Sequence, residues 1–154
     1  MAKSTKPISE EFVKAKLIRF LANKGWSKNL EFGSKRDHGV DIRVTNSEYG
    51  RSFLIETKGA STSRSGFENV FIHSLGQIVT RMNHLRARPY YGLGLPKRSA
   101  DIALRRVPYE FAVKTCLHIL SVSDDGNVVW HKPEDIKKLQ QGAARSSRKR
   151  KAGS

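Results

Sequence analysis

A chain of 154 residues, 38% of them hydrophobic, is the right size for one domain around one core, which argues against both disorder and several domains. Its 29 Lys and Arg residues outnumber 14 Asp and Glu residues, and the net charge of +15 indicates a polyanionic partner such as nucleic acid, although an anionic membrane surface would also fit. Because no apolar run approaches the roughly 20 residues that span a bilayer and the N-terminal residues lack the apolar core of a signal peptide, we expect an intracellular protein, cytoplasmic or nucleoid-associated, that is not secreted.

The first part of the chain predicts one helix followed by three strands. Residues 8–25 have the pattern of a helix, with Ser9 as its N-cap and acidic residues in its first turn. The segment WSKNLEFG at 26–33 predicts a strand. Two alternating runs follow, GVDIRVT at 39–45 and RSFLIETKG at 51–59, and the short polar segment between them predicts a β-hairpin.

The rest of the chain predicts a second helix, a buried strand and a terminal hairpin. Residues 69–87 place apolar side chains at three- and four-residue spacing, which is typical of a helix. The segment PYYGLGLP at 89–96 predicts a buried strand, and residues 100–116 predict short helices that are broken at Pro108. The segment HILSVSDDGNVVWH at 118–131 predicts a hairpin with Asp-Gly in its turn.

This order of elements predicts an α/β fold with a central mixed β-sheet flanked by helices. We expect a single domain over residues 1–141. Residues 142–154 carry basic side chains and almost nothing to bury, so they predict a disordered basic tail.

The predicted hairpin brings three charged side chains to one face. Successive side chains of a strand alternate between faces, so burying the aliphatic residues of both runs places Asp41, Glu56 and Lys58 together. The expected turn puts Asp41 opposite Ile55 or Glu56, with the two carboxylates roughly 5–8 Å apart. Carboxylates this close repel each other unless a cation or hydrogen bonds compensate.

These residues suit a Mg²⁺ site in which Mn²⁺ would substitute. Mg²⁺ prefers oxygen ligands and keeps several waters, so Asp41, Glu56 and the backbone carbonyl of Thr57 form a suitable set. The ammonium of Lys58 would orient an attacking water or stabilise negative charge that develops at a phosphate. The alternative is that these charges form the solvated outer face of a hairpin, because Glu-x-Lys alone is a weak motif.

The residues GVD at 39–41 and ETK at 56–58 resemble the signature of the PD-(D/E)XK nuclease superfamily, an acidic residue in one strand and Glu/Asp-x-Lys in the next. The resemblance covers roughly residues 8–130 and includes LGQIVTRM at 75–82. The branch that the chain resembles includes Mrr-type restriction enzymes and archaeal Holliday-junction resolvases. The resemblance implies a restriction-endonuclease-like αβββαβ core and a Mg²⁺-dependent endonuclease that hydrolyses phosphodiester bonds of DNA, including branched or structured DNA.

The resemblance also implies roles for residues in the helices. In that branch a glutamine of the second helix often supports the active site, and Gln77 stands at the matching position, with Arg81 one turn further on the same face. The glutamate often present in the first helix would fall near Lys14, which leaves Glu10, one turn earlier, as the candidate metal contact. A second departure is Val40, where the superfamily has proline.

Nucleic acid is the expected partner, with DNA preferred, and no membrane is expected. The cations expected to contact nucleic acid are Lys35, Arg36, Arg64 and Arg81. Two other functions stay open: a catalytically silent nucleic-acid-binding module, and an RNA-directed nuclease of the same fold. A single centre cuts one strand, so double-strand cleavage or junction resolution would require a homodimer.

Overall fold

Five strands in the described residues form one mixed sheet. The structure, a computed structural model, describes residues 6–26, 40–48, 50–82 and 89–153. The strands lie side by side in chain order: β1 (Ile42–Asn46), β2 (Arg51–Thr57), β3 (Tyr90–Pro96), β4 (Leu117–Val122) and β5 (Val128–His131). The central strands β2, β3 and β4 run parallel, whereas β1 and β5 are antiparallel to their neighbours. The carboxyl ends of the three central strands therefore meet at one edge of the sheet.

One face of the sheet is covered by helix α1 (Glu10–Asn23). As predicted, Ser9 caps this helix, because its hydroxyl accepts a hydrogen bond from the Phe12 backbone amide at 3.1 Å. The buried side chains on this face are Val13, Leu17, Leu21, Trp26, Ile42, Val44, Phe53, Ile55, Leu120 and Val122. This cluster fixes α1 across the sheet, over β3 and β4 and the adjoining parts of β2 and β5.

The opposite face carries the other helices of the described residues: α2 (Arg64–Val79), α3 (Lys97–Arg106), α4 (Tyr109–Thr115) and α5 (Pro133–Ala152). Pro108 separates α3 from α4, as predicted, because proline lacks a backbone amide and disfavours helix at the residue before it. The carboxamide of Gln140 donates to the carbonyls of Leu104 at 2.9 Å and Val107 at 2.6 Å. These bonds fix the first half of α5 against the end of α3.

The α/β class and the mixed sheet flanked by helices are confirmed. The restriction-endonuclease-like αβββαβ arrangement also needs the strand predicted at 26–33, of which all but Trp26 lies outside the described residues. None of the helices in the described ranges combines the length and the apolar character that a bilayer span requires.

The structure differs from the sequence expectation at several boundaries, one of them the end of α2, which lies at Val79 rather than at residue 87. Helix α2 begins at Arg64 rather than at residue 69, because the hydroxyl of Ser63 accepts a hydrogen bond from the Gly66 amide at 3.1 Å and caps an earlier turn. Helix α5 continues to Ala152 through the segment predicted as a disordered tail. Its docked first half supplies the helix nucleus, and the Ala, Lys and Arg residues that follow are strong helix formers whose cations favour a helix C-terminus.

Candidate metal-binding active site

The hairpin register brings Asp41 beside the end of β2. Ile42 pairs with Ile55 in the antiparallel ladder. Asp41 therefore faces Glu56, which is one of the two partners that the sequence predicts. Asp41 Oδ2 accepts hydrogen bonds from the backbone amide of Thr57 at 2.9 Å and from its hydroxyl at 3.3 Å. These two bonds fix the carboxylate at the carboxyl edge of the sheet.

Glu56 is buried on the face of the sheet that α2 covers. Its exposed fraction is 3%, and its Oε1 lies 3.8 Å from Arg81 Nε, which is an ion-pair distance but too long for a hydrogen bond. In the described part of the chain, the buried side-chain atoms without a hydrogen-bond partner are Glu56 Oε1, Gln77 Oε1 and Arg81 Nε. Buried polar atoms normally have a partner. An ion, a water or a substrate group at Glu56 would supply one.

The charges around Glu56 act on one another. The pKa of Glu56 is raised from 4.5 to about 7, first by burial and then by the charge and hydrogen bonding of the neighbouring Asp41. The positive charges of Arg81 and Lys58 oppose these effects and lower the pKa of Glu56. The two carboxylates and two cations predicted from the hairpin and from α2 therefore interact in one place.

The donor set fits Mg²⁺ held by few protein ligands. Over residues 6–26, 40–48, 50–82 and 89–153, no three His, Cys, Asp or Glu side chains are grouped to hold a metal ion. Asp41 and Glu56 supply two carboxylates, and Glu56 Oε1 is buried without a hydrogen-bond partner. The Thr57 carbonyl remains the predicted third ligand. An ion that keeps several waters, as Mg²⁺ does, needs no larger set of side chains.

Lys58 stands directly after β2. Its backbone amide donates to the carbonyl of Gly94 at 3.2 Å, which continues the parallel pairing of β2 with β3 by one residue. Its side chain is half-buried, and its charge acts on the buried carboxylate of Glu56. The charge of Lys58 therefore reaches Glu56, and its place beside both carboxylates stays a prediction.

Helix α1 contributes a cation that sequence analysis did not assign to the site. Lys14 Nζ lies 3.5 Å from Asp41 Oδ1 and 3.7 Å from Glu10 Oε1. The ammonium thus lies between Glu10, the candidate metal contact, and Asp41. The signal in the sequence was the position of Lys14, one helical turn after Glu10 on the same face of α1.

The cations predicted to contact nucleic acid occupy different places. Arg81 lies against Glu56 inside the site. Arg64 is exposed at the start of α2, and its distance from Gln77 along the helix is roughly 20 Å at 1.5 Å per residue. Lys35 and Arg36 lie outside the described residues.

The site thus combines two carboxylates, a strand-end carbonyl and three neighbouring cations at one edge of the sheet. No protein-family model matches the chain, and no curated protein matches its sequence. What the site does must therefore be inferred from the chemistry of its own residues.

Proposed function

We propose that this chain is a metal-dependent endonuclease that hydrolyses phosphodiester bonds of DNA, with Mg²⁺ as its cofactor and Mn²⁺ as a substitute. The observation that carries the proposal is the buried Glu56 carboxylate, with one oxygen lacking a hydrogen-bond partner, next to the carboxylate of Asp41. Holding two carboxylates together at a buried strand end costs free energy in the absence of a counter-ion. Apolar side chains would stabilise the fold more at this place, so the pair is better explained by a ligand.

The residues of the site take distinct roles in this proposal. Bound Mg²⁺ would supply Lewis acidity and lower the pKa of water. Asp41, Glu56 and the Thr57 carbonyl would hold it. Lys58 would place its ammonium where negative charge develops on the phosphate. Gln77, whose Oε1 lacks a partner, would hold a water or a substrate group by hydrogen bonding.

A nucleic-acid substrate is supported by charge and by the shape of the sheet edge. The net charge is +15, and the cations of the second half of α5 are all exposed. A cavity of about 670 Å³ opens at the edge where β3 and β4 end, and its lining includes the hydroxyls and cations of Ser61, Thr62, Lys97 and Arg98 together with the carboxylates of Asp124 and Asp125. Hydroxyls and cations are common phosphate contacts in protein–DNA complexes.

The proposal is tested by cleavage of supercoiled plasmid and of a four-way junction in Mg²⁺, Mn²⁺ or EDTA. Asp41→Ala and Lys58→Ala are each expected to lower the rate by at least about 100-fold, the effect of removing one transition-state contact. Asp101→Ala and Lys114→Ala are matched controls, because they remove one charge of the same sign from α3 and α4 and should retain cleavage. Equal rates in all five proteins would refute the site.

A catalytically silent binding module is the second candidate, and one observation favours it. The carboxylates of Asp41 and Glu56 already have cationic neighbours in Lys14 and Arg81, so part of their charge is compensated without a metal ion. This candidate predicts that every protein in the assay binds DNA and that none cleaves it in any metal. An RNA substrate of matched sequence in the same assay distinguishes the RNA-directed alternative.

A further inference from the structure

A second cavity lies at the opposite edge of the sheet from Glu56. Its volume is about 860 Å³, which is within the range of small-molecule sites. It opens where β2 and β3 begin, beside Arg51 and Tyr90. Strand β2 runs from Arg51 to Thr57, so at 3.3 Å per residue the cavity is roughly 20 Å from the proposed active site.

Three half-buried aromatic rings line this cavity, and each has a cation over it. The Arg51 guanidinium lies 5.0 Å from the centre of the Tyr90 ring. The other two cation–ring pairs are Lys24 over Phe20 at 5.0 Å and Lys132 over Trp130 at 5.4 Å. The lining contains these three cations and one carboxylate, so it attracts anions as well as flat apolar groups.

The floor of the cavity is aromatic and uncharged. Trp130 Nε1 donates a hydrogen bond to His118 Nδ1 at 2.9 Å, and the His118 ring lies 4.5 Å from the Tyr90 ring. Burial and, after it, the positive charge of Lys132 lower the pKa of His118 to about 3 against the opposing charge of Asp135, so the imidazole is neutral at physiological pH. Flat neutral rings beneath exposed cations suit a planar, electron-rich group that carries an anion.

We propose that this cavity binds an unpaired nucleotide of a nucleic-acid strand. Its base stacks on Tyr90 or Trp130, and its phosphate contacts Arg51, Lys24 or Lys132. Every base has a stacking face, so this site takes single strands without reading their sequence. The base of a continuous duplex is stacked within the helix and has no free face to offer. The proposal does not depend on nuclease activity, because the two sites share no residue.

The test measures quenching of tryptophan fluorescence by a short oligothymidylate in EDTA, where metal-dependent cleavage cannot occur. Trp26 and Trp130 are the two tryptophans of the chain, and both line the cavity. Saturable quenching is expected with the oligothymidylate, with much weaker binding of a duplex of the same length and of thymidine monophosphate. Equal affinity for the mononucleotide or for the duplex would overturn the assignment to an unpaired strand.

A matched pair of variants separates stacking from general charge. Arg51→Ala and Arg43→Ala each remove one exposed guanidinium from the β1–β2 hairpin, but only Arg51 lies over a ring of the cavity. Arg51→Ala is expected to weaken oligothymidylate binding clearly more than Arg43→Ala. Tyr90→Leu should weaken it by roughly 5- to 150-fold, the loss of one base–aromatic stack, whereas Tyr90→Phe should retain it.

Circular dichroism establishes that each variant is folded, since Tyr90 also packs on the core. If Tyr90→Leu does not fold, the two arginine variants still decide the question because both side chains are exposed. Equal losses in Arg51→Ala and Arg43→Ala would overturn the cavity as the binding site and leave only general electrostatic attraction.

Discussion

The ammonium of Lys14 lies 3.5 Å from Oδ1 of Asp41, whereas Thr57 donates its hydrogen bonds to the other oxygen, Oδ2. Both oxygens of the carboxylate are therefore engaged, one by backbone and hydroxyl donors and the other by a cation from α1. A divalent ion that binds Asp41 through Oδ1 meets the repulsion of this ammonium. Lys14 is thus a competitor for the metal in the proposed centre.

Replacing Lys14 is expected to strengthen metal binding. The Lys14 and Asp41 side chains are 31% and 25% exposed, and ion pairs that water reaches contribute about 0.2–1 kcal/mol. The Lys14→Met variant should accordingly bind Mn²⁺ up to about fivefold more tightly than the parent chain. Isothermal titration calorimetry without nucleic acid measures this affinity directly.

The control for this change is Lys16→Met on the same helix. The Lys16 ammonium lies over the Phe12 ring, 5.4 Å from its centre, whereas the ion pair with Asp41 is made by Lys14. Its replacement removes the same charge and should alter Mn²⁺ affinity less than Lys14→Met does. Unchanged or weaker binding in Lys14→Met would show that the ammonium does not compete with the ion.

The raised pKa of Glu56 predicts a stability that falls as pH rises. The folded carboxyl has a pKa of about 7 against an ordinary 4.5, so between these values the folded state binds more protons than the unfolded state. The contribution of Glu56 is fully present below about pH 4.5 and is lost by about pH 7. Urea denaturation in EDTA across this window should show the parent chain losing stability relative to Glu56→Gln. Glu48→Gln changes an exposed side chain in the hairpin turn, and its free energy of unfolding should vary with pH as that of the parent chain does.

The fold was predictable from the sequence where local patterns determine it. Alternation in two runs gave the hairpin of β1 and β2, and the cap at Ser9 gave the start of α1. The end of α5 was not predictable in this way. Residues 142–154 lack apolar side chains, and the helix there continues from a first half that Gln140 anchors to the end of α3, a contact between residues more than thirty positions apart.

The site, too, was predictable only where a local sequence pattern determines it. Strand alternation is a local rule, and it correctly predicted that Asp41 would face the region of Glu56. The contacts of Lys14 with Asp41 and of Arg81 with Glu56 depend on how α1 and α2 rest on the sheet. Helix docking is set by the shapes of buried side chains in distant segments, so sequence analysis assigned Arg81 to nucleic acid and gave Lys14 no role.

Replacing glycine by alanine is expected to change the free energy of unfolding in opposite directions at Gly94 and Gly76. A Cβ at Gly94 in β3 would collide with Leu17 of α1 and lie 3.1 Å from Thr57 Cγ2. Because Leu17 is fully buried, Gly94→Ala should destabilise the fold by about 1–3 kcal/mol. A Cβ at Gly76 in α2 would meet nothing within 4 Å, so Gly76→Ala should stabilise the helix by about 0.5–1 kcal/mol. Urea midpoints of the two variants should lie on either side of the parent value, and a Gly94→Ala midpoint at or above that value would contradict the packing of α1 on β3.

The basic end of α5 is expected to set the salt dependence of nucleic-acid binding without supporting the fold. Residues 142–152 are all exposed, and the cations among them are Arg145, Arg148, Lys149, Arg150 and Lys151. Each cation that neutralises a phosphate contributes roughly 0.7–0.9 to the slope of log affinity against log salt. Deleting residues 142–154 should therefore flatten this slope while the urea midpoint and the Mg²⁺-dependent cleavage of plasmid at low salt are retained.

Glutamine at the same five positions of the full-length chain separates charge from helix length, because glutamine is also a good helix former. If the cations act on phosphate, this variant and the deletion should show the same flattened slope in filter binding with duplex DNA at several salt concentrations. A slope that stays at the parent value in both would assign phosphate binding to cations elsewhere on the chain. Flattening in the deletion alone would mean that the helix acts through its length rather than its charge.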